Sequence, residues 1–147
     1  MRFLRPLFRL SDSVRQRARR GRMDPDQALG RDGEDIAHRL MQKRGMTVVA
    51  RNWKTPSGWA EADLIAWDGG RLVFVEVKSR RSREFGAPDR EISDEKRRKI
   101  AAAAREYCRN SSHAVEDVRF DVVSVVFEPE RAVEYFAGAW SAAEVLR

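Results

Sequence analysis

Residues 61–78 constrain the fold more than any other stretch: Glu-Ala-Asp-Leu-Ile-Ala-Trp-Asp-Gly-Gly-Arg-Leu-Val-Phe-Val-Glu-Val-Lys. Runs from Trp59 to Trp67 and from Arg71 to Lys78 have strand composition, and the turn Asp68-Gly69-Gly70 joins them as an antiparallel hairpin. If Gly69-Gly70 is a two-residue loop, Asp68 pairs with Arg71. Counting back, Asp63 lies opposite Glu76 and Glu61 opposite Lys78. A three-residue loop would break that pairing. Directly opposed Cβ atoms stand about 4.5–5.5 Å apart. Period-two alternation places Glu61, Asp63, Ile65 and Trp67 on one face of the first strand. Phe74, Glu76 and Lys78 share one face of the second, and Val73, Val75 and Val77 fill the other. Charged groups set among apolar neighbours on a central strand are costly unless paired or bound to metal.

The remaining punctuation yields the order α-β-β-β-α-β-β. Asp24 can cap a helix, with Pro25 at its first position and Gln27 three residues after the cap. Ile36, Ala37, Leu40 and Met41 form its apolar stripe, and Gly45 stops it. Gly30 and Gly33 inside this helix cost about 1 kcal/mol each relative to Ala, which a packing or substrate contact could offset. Met46–Trp53 reads as a strand and Thr55-Pro56-Ser57-Gly58 as a turn. Residues 79–92 read as a loop. A second helix, capped by Ser93, runs to about Asn110 with Ile100, Ala103, Ala104, Tyr107 and Cys108 as its core stripe. Arg119–Phe127 and Ala132–Phe136 read as strands around a Glu128-Pro129-Glu130 turn. Phe120, Val122 and Val126 are expected in the core, with Asp121 structural. Ser141 and Glu144 resemble a capping box for a short last helix. The expected class is α/β, a mixed sheet flanked by helices.

The 147 residues suit one domain. No run of about 18 apolar residues exists to span a membrane as a helix. One cysteine, Cys108, and two histidines, His38 and His113, exclude an internal disulfide and a Cys/His zinc cluster. A reducing cytoplasm is the expected location. The net charge of +6 is unevenly placed: residues 1–23 carry eight arginines and one acid, Asp12, leaving the rest at about −1. Residues 1–23 are read as a basic arm and 24–147 as the domain. The arm has three readings: a disordered extension, a segment binding phosphate or a membrane surface, or sequence upstream of a true start at Met23.

An acid pair on a hairpin suits metal-assisted phosphodiester hydrolysis. Two bare carboxylates so placed repel each other unless a proton or a divalent cation lies between them. Asp63 and Glu76 would ligate Mg²⁺ or Mn²⁺ through hard oxygens, with the Val77 carbonyl as a further donor. The ion would polarise the phosphate and acidify an attacking water. Lys78 would orient or deprotonate that water, or stabilise the developing charge. Glu34, at the edge of the first helix's apolar stripe with Ala37 and Met41, could reach the ion directly or through water. Most helix glutamates are instead solvated.

The pattern Asp63 … Glu76-Val77-Lys78 resembles the PD-(D/E)xK nuclease superfamily. Over a longer span the chain is similar to the bacterial YraN-like family. The residues that carry this are Gly33-Glu34-Asp35-Ile36-Ala37, Arg51-Asn52-Trp53, Glu61-Ala62-Asp63-Leu64-Ile65-Ala66, Phe74 to Arg80, Lys96 and Arg119 to Val123. The resemblance implies a restriction-endonuclease-like αβββαβ core and a site like that of Holliday junction resolvases. Glu34 would be its helix glutamate, Asp63 and Glu76 its metal acids and Lys78 its lysine. It also implies a homodimer, although no interface is readable in the chain. Ala60 and Ala62 stand where the family has Gly and Ile, and the proline before the first acid is absent.

The leading expectation is therefore a metal-dependent endonuclease acting on DNA, including branched or processed DNA. Arg80, Arg81 and Arg83 would contact phosphate, or form an exposed loop. Lys96 and Lys99 would also meet phosphate, or lie on a solvated helix face. Trp53, Trp59, Trp67 and Trp140 are candidates for base stacking, Trp67 foremost because it shares the acidic face; packing in the core competes at each. A nucleic-acid-binding accessory protein without turnover, and a non-catalytic interaction module, are the competing functions.

Overall fold

The hairpin forms with the expected turn. In the computed structural model, which describes residues 24–146, Asp68 pairs with Arg71 and Leu64 with Val75. Around this hairpin a five-stranded mixed sheet runs in the order β1-β2-β3-β4-β5. Its strands are β1 (Thr47–Lys54), β2 (Glu61–Asp68), β3 (Arg71–Ser82), β4 (Arg119–Glu128) and β5 (Ala132–Trp140). β1, β2 and β3 are successive antiparallel neighbours, β3 and β4 are parallel, and β5 closes antiparallel to β4. Parallel pairing requires a crossover, supplied by helix α2 (Asp94–Cys108). Helix α1 (Pro25–Lys43) precedes the sheet, and a single turn, α3 (Ala142–Val145), ends it. Mixed sheet and flanking helices make an α/β protein consistent with an αβββαβ nuclease-like core. The arginine-rich segment 1–23 lies outside the described residues.

Two apolar cores form, one on each side of the sheet. Ala37 and Met41 of α1 pack with Leu64, Val73, Val75, Val123 and Val125. Ile100, Ala101, Ala103, Ala104 and Cys108 of α2 pack with Ile65, Phe74, Phe120 and Trp140. The alanines let α2 lie close, so the aromatic rings fill the space: Phe120 and Trp140 stack at 4.0 Å. Fully burying a side chain such as Phe74 contributes about 1.5–3 kcal/mol.

The expected caps of α1 and α2 form. Asp24 accepts from the Asp26 and Gln27 amides, and Ser93 from the Lys96 amide. Gly33 has a packing reason, because an added Cβ would stand 1.8 Å from Ser79 Oγ. Gly30 faces open space.

Several expectations are corrected. Residues 79–82 continue β3 rather than starting a loop, because pairing with β4 extends to Ser82 opposite Glu128. That support comes from a distant partner strand and leaves no apolar pattern in Ser-Arg-Arg-Ser. β5 runs past Phe136 to Trp140 across a register shift, with Gly138 at φ 60°. The capping box is incomplete: Ser141 makes no cap bond, and its hydroxyl instead meets the Glu144 carboxylate at 3.2 Å.

Candidate functional site

The β2–β3 ladder stops one step short of Asp63 and Glu76. There the Asp63 carboxylate, rather than a backbone carbonyl, accepts the Val77 amide at 2.9 Å. Within β2 the alternation breaks at the same point. Ala62 and Ile65, three residues apart, pack into the α2-side core, while Leu64 packs on the α1 side. The Asp63 side chain thus fills the gap where the two strands part. An extended residue directs its N–H and C=O to the same neighbour, so the Val77 carbonyl faces this gap as well.

Glu76 approaches from the α2 side, and its carboxyl group lies within hydrogen-bonding reach of Asp63. Burial, then the Asp63 charge, pushes the Glu76 carboxyl up to about 8. Burial also raises Asp63, against the pull of the Val77 amide. Two acids this close cannot both ionise without a compensating cation. The cation present is Lys96, whose Nζ lies 3.3 Å from Glu76 Oε1. Partial burial opposes its charge, but Glu76 and Asp63 outweigh that and hold the ammonium above its ordinary range. Ser93 caps the helix turn that starts at Asp94 and carries Lys96 to the acids.

Glu34 comes from the α1 side. Its carboxylate accepts from Asn52 Nδ2 at 3.0 Å, and Arg51 stands 3.6 Å away. Burial raises its pKa, with a further push from the Asp63 charge. Its side chain is held beside the gap without joining the acid pair. Among the described residues, no three acidic, His or Cys side chains converge into a ready-made metal cage. The chemistry of the donors nevertheless fits a hard divalent cation: two carboxylates in mutual reach, one backbone carbonyl on the same edge and a third carboxylate in electrostatic range.

Lys78 follows on β3, but its ammonium is engaged by the Asp89 carboxylate and donates to the Glu91 carbonyl at 2.6 Å. Lys78 holds the Asp89 carboxyl below its usual range. The expected opposition of Glu61 and Lys78 does not occur: Glu61 pairs with Lys54 on β1, and the β2–β3 ladder ends before reaching Lys78. Arg80 also reaches Asp89, at 3.2 Å, while Arg81 and Arg83 are exposed. Lys96, expected to meet phosphate or lie on a solvated helix face, is partly exposed and ion-pairs with Glu76.

Sequence reasoning assigned no role to Arg51, Asn52 or Asp89. Arg51 and Asn52 fall in a run that carries the family resemblance. Asn52 adopts φ 49°, a left-handed conformation that Asn tolerates better than most residues. Asp89 has no pattern around it, since only the folded loop brings it to Lys78.

A model of the uncharacterised protein family UPF0102 matches residues 33–125, a span that starts beside Glu34 and includes Asp63, Glu76, Val77, Lys78 and Lys96. A UPF0102 protein of Solibacter usitatus (strain Ellin6076) is 45% identical, across 91% of this chain and 97% of its own. A UPF0102 protein of Desulfosudis oleivorans is 43% identical, across 79% and 92%. One from Rhodococcus opacus (strain B4) is 42% identical, across 77% and 96%.

Proposed function

The chain belongs to the uncharacterised protein family UPF0102, the YraN-like family, and we propose that it is a divalent-metal-dependent endonuclease hydrolysing DNA phosphodiester bonds. One observation carries this reading. Glu76, buried, and Asp63, half-buried, meet where the sheet opens, and their mutual repulsion is relieved by a proton or a cation. Active sites are where burial and like-charge pairs are arranged to shift carboxyl pKa values in this way.

Asp63, Glu76 and the Val77 carbonyl would hold Mg²⁺ or Mn²⁺, with Glu34 joining directly or through water. The ion would supply Lewis acidity toward the phosphate and a lower pKa for the attacking water. The Val77 amide fixes the Asp63 rotamer, and Asn52 with Arg51 keeps Glu34 aimed along the gap. Lys96 offsets the charge of the acid pair and would meet a non-bridging oxygen of a bound phosphate. Lys78, once released from Asp89, orients the nucleophile or stabilises charge on the phosphate. Arg81, near the end of β3, and Arg83, just past it, would extend a basic rim beyond Lys78.

The test is incubation of the purified protein with linear, flapped and four-way DNA plus Mg²⁺ or Mn²⁺. Cleavage is expected with metal, and none in EDTA or with Asp63→Ala or Glu76→Ala. A second reading, nucleic-acid binding without turnover, draws on the engagement of Lys78 by Asp89. Tight DNA binding with no metal-dependent cleavage would establish it and refute the nuclease.

A further inference from the structure

Three of the four tryptophans are packed. Trp53 meets Tyr107 edge-on at 5.4 Å, Trp67 lies 4.7 Å from His113, and Trp140 stacks on Phe120. Packing, the competing expectation at each tryptophan, thus holds for Trp67 through its contact with His113. Trp59 is different. It is 59% exposed, on the turn entering β2, two residues before Glu61 and four before Asp63. The backbone path from Trp59 to Asp63 is at most about 13 Å in extended conformation.

A single exposed aromatic needs no explanation by itself. Its surroundings supply one. Lys99 Nζ stands 6.0 Å from the centre of the Trp59 ring. Lys99 is three residues beyond Lys96 on α2, so both ammonium groups rise from one helix side. Lys96 in turn touches Glu76, which reaches Asp63. An open aromatic face, two cations and the acid pair thus form one continuous strip.

We propose that Trp59 is a stacking platform for an unpaired nucleobase, with Lys99 and Lys96 tracking the phosphates that lead from that base to the acid pair. This rests on the nuclease reading and deepens it, by naming the substrate class as DNA carrying a single-stranded or frayed segment beside the scissile phosphate. A base pair inside a duplex keeps both faces in the stack and cannot lie on the indole, whereas an unpaired base offers a π face. Sequence-tolerant binding follows, because stacking does not read base edges. The indole is 59% exposed, so its replacement is expected to remove little packing and to leave the fold intact.

The experiment compares the full chain with Trp59→Ala and Trp59→Phe. Binding of fluorescein-labelled oligothymidine and of a blunt hairpin duplex is read by anisotropy in EDTA, and metal-dependent cleavage is followed in parallel. Trp59→Ala is expected to weaken single-strand binding about tenfold to a hundredfold, with Trp59→Phe restoring most of it. Duplex binding should change less than about twofold. Unchanged single-strand binding by Trp59→Ala, with cleavage intact, overturns the stacking role and leaves the nuclease standing. Equal losses on single strand and duplex overturn the preference for unpaired bases. If the unsubstituted protein neither binds nor cleaves any nucleic acid, both proposals fall together.

Discussion

Two buried carboxylate sites stand on neighbouring parts of the same sheet, and they are built in opposite ways. Asp121 on β4 is almost fully buried and accepts from Arg119 through two nitrogens, from the Tyr135 hydroxyl and from the Gly138 amide at 2.9 Å. Arg119 is held in turn by Asp68 at 2.8 Å, which ties the β2–β3 turn to β4. Every lone pair there has a donor, as a carboxylate kept for structure requires. The Asp63–Glu76 pair has the reverse character. Two acids face each other, one strand amide serves Asp63, and a partly exposed lysine serves Glu76. The satisfied site rigidifies the fold. The unsatisfied one stores repulsion that a bound cation would remove.

Substitution should separate the two most sharply. Asp121→Asn leaves a buried network short of its charge and is expected to destabilise by about 3 kcal/mol, the lower end of the usual range because Arg119 keeps Asp68. Glu76→Gln removes repulsion and should leave stability unchanged or raised at pH 8. Urea unfolding of both variants measures this, and comparable losses would erase the distinction.

A pH series is the next largest effect. The Glu76 carboxyl is raised from 4.5 to about 8, so between those values the folded protein keeps a proton that the unfolded chain releases. Stability without divalent cations should therefore fall, by up to a few kcal/mol, as pH rises through that window. Glu76→Gln should flatten the slope. Asp89, shifted downward by Lys78, acts only at lower pH and does not enter the window. A flat profile for the unsubstituted protein would show that the acid pair carries no strain.

The smallest effect is stabilisation by metal. Mg²⁺ or Mn²⁺ at about a hundredfold over its Kd adds roughly 2.7 kcal/mol to a protein that binds it only when folded. That raises Tm by several degrees at this size. The rise is expected at pH 8 for the unsubstituted protein and for Lys96→Gln, and is absent from Asp63→Asn. An equal rise in Asp63→Asn would place the cation elsewhere.

The hairpin, the caps and apolar stripes of α1 and α2, and the place of Asp63 and Glu76 on neighbouring strands were readable in the chain, because each rests on local spacing and residue chemistry. The approach of Asp63 to Glu76 was readable too, since a two-residue Gly-Gly loop sets the register. The extension of β3, the break in alternation at Asp63 and the partner of each lysine were not. Those depend on which strand lies alongside and where a loop returns. Residues 79–82 are a strand because β4 pairs with them, and Lys78 is tied down because Asp89 arrives from the loop beyond Gly86. Sequence alone thus determined which groups bear charge and which elements carry them. Tertiary structure decided which charges meet, because electrostatic contacts fall off over a few ångströms, and only the packed helices and the parted strands set distances that small.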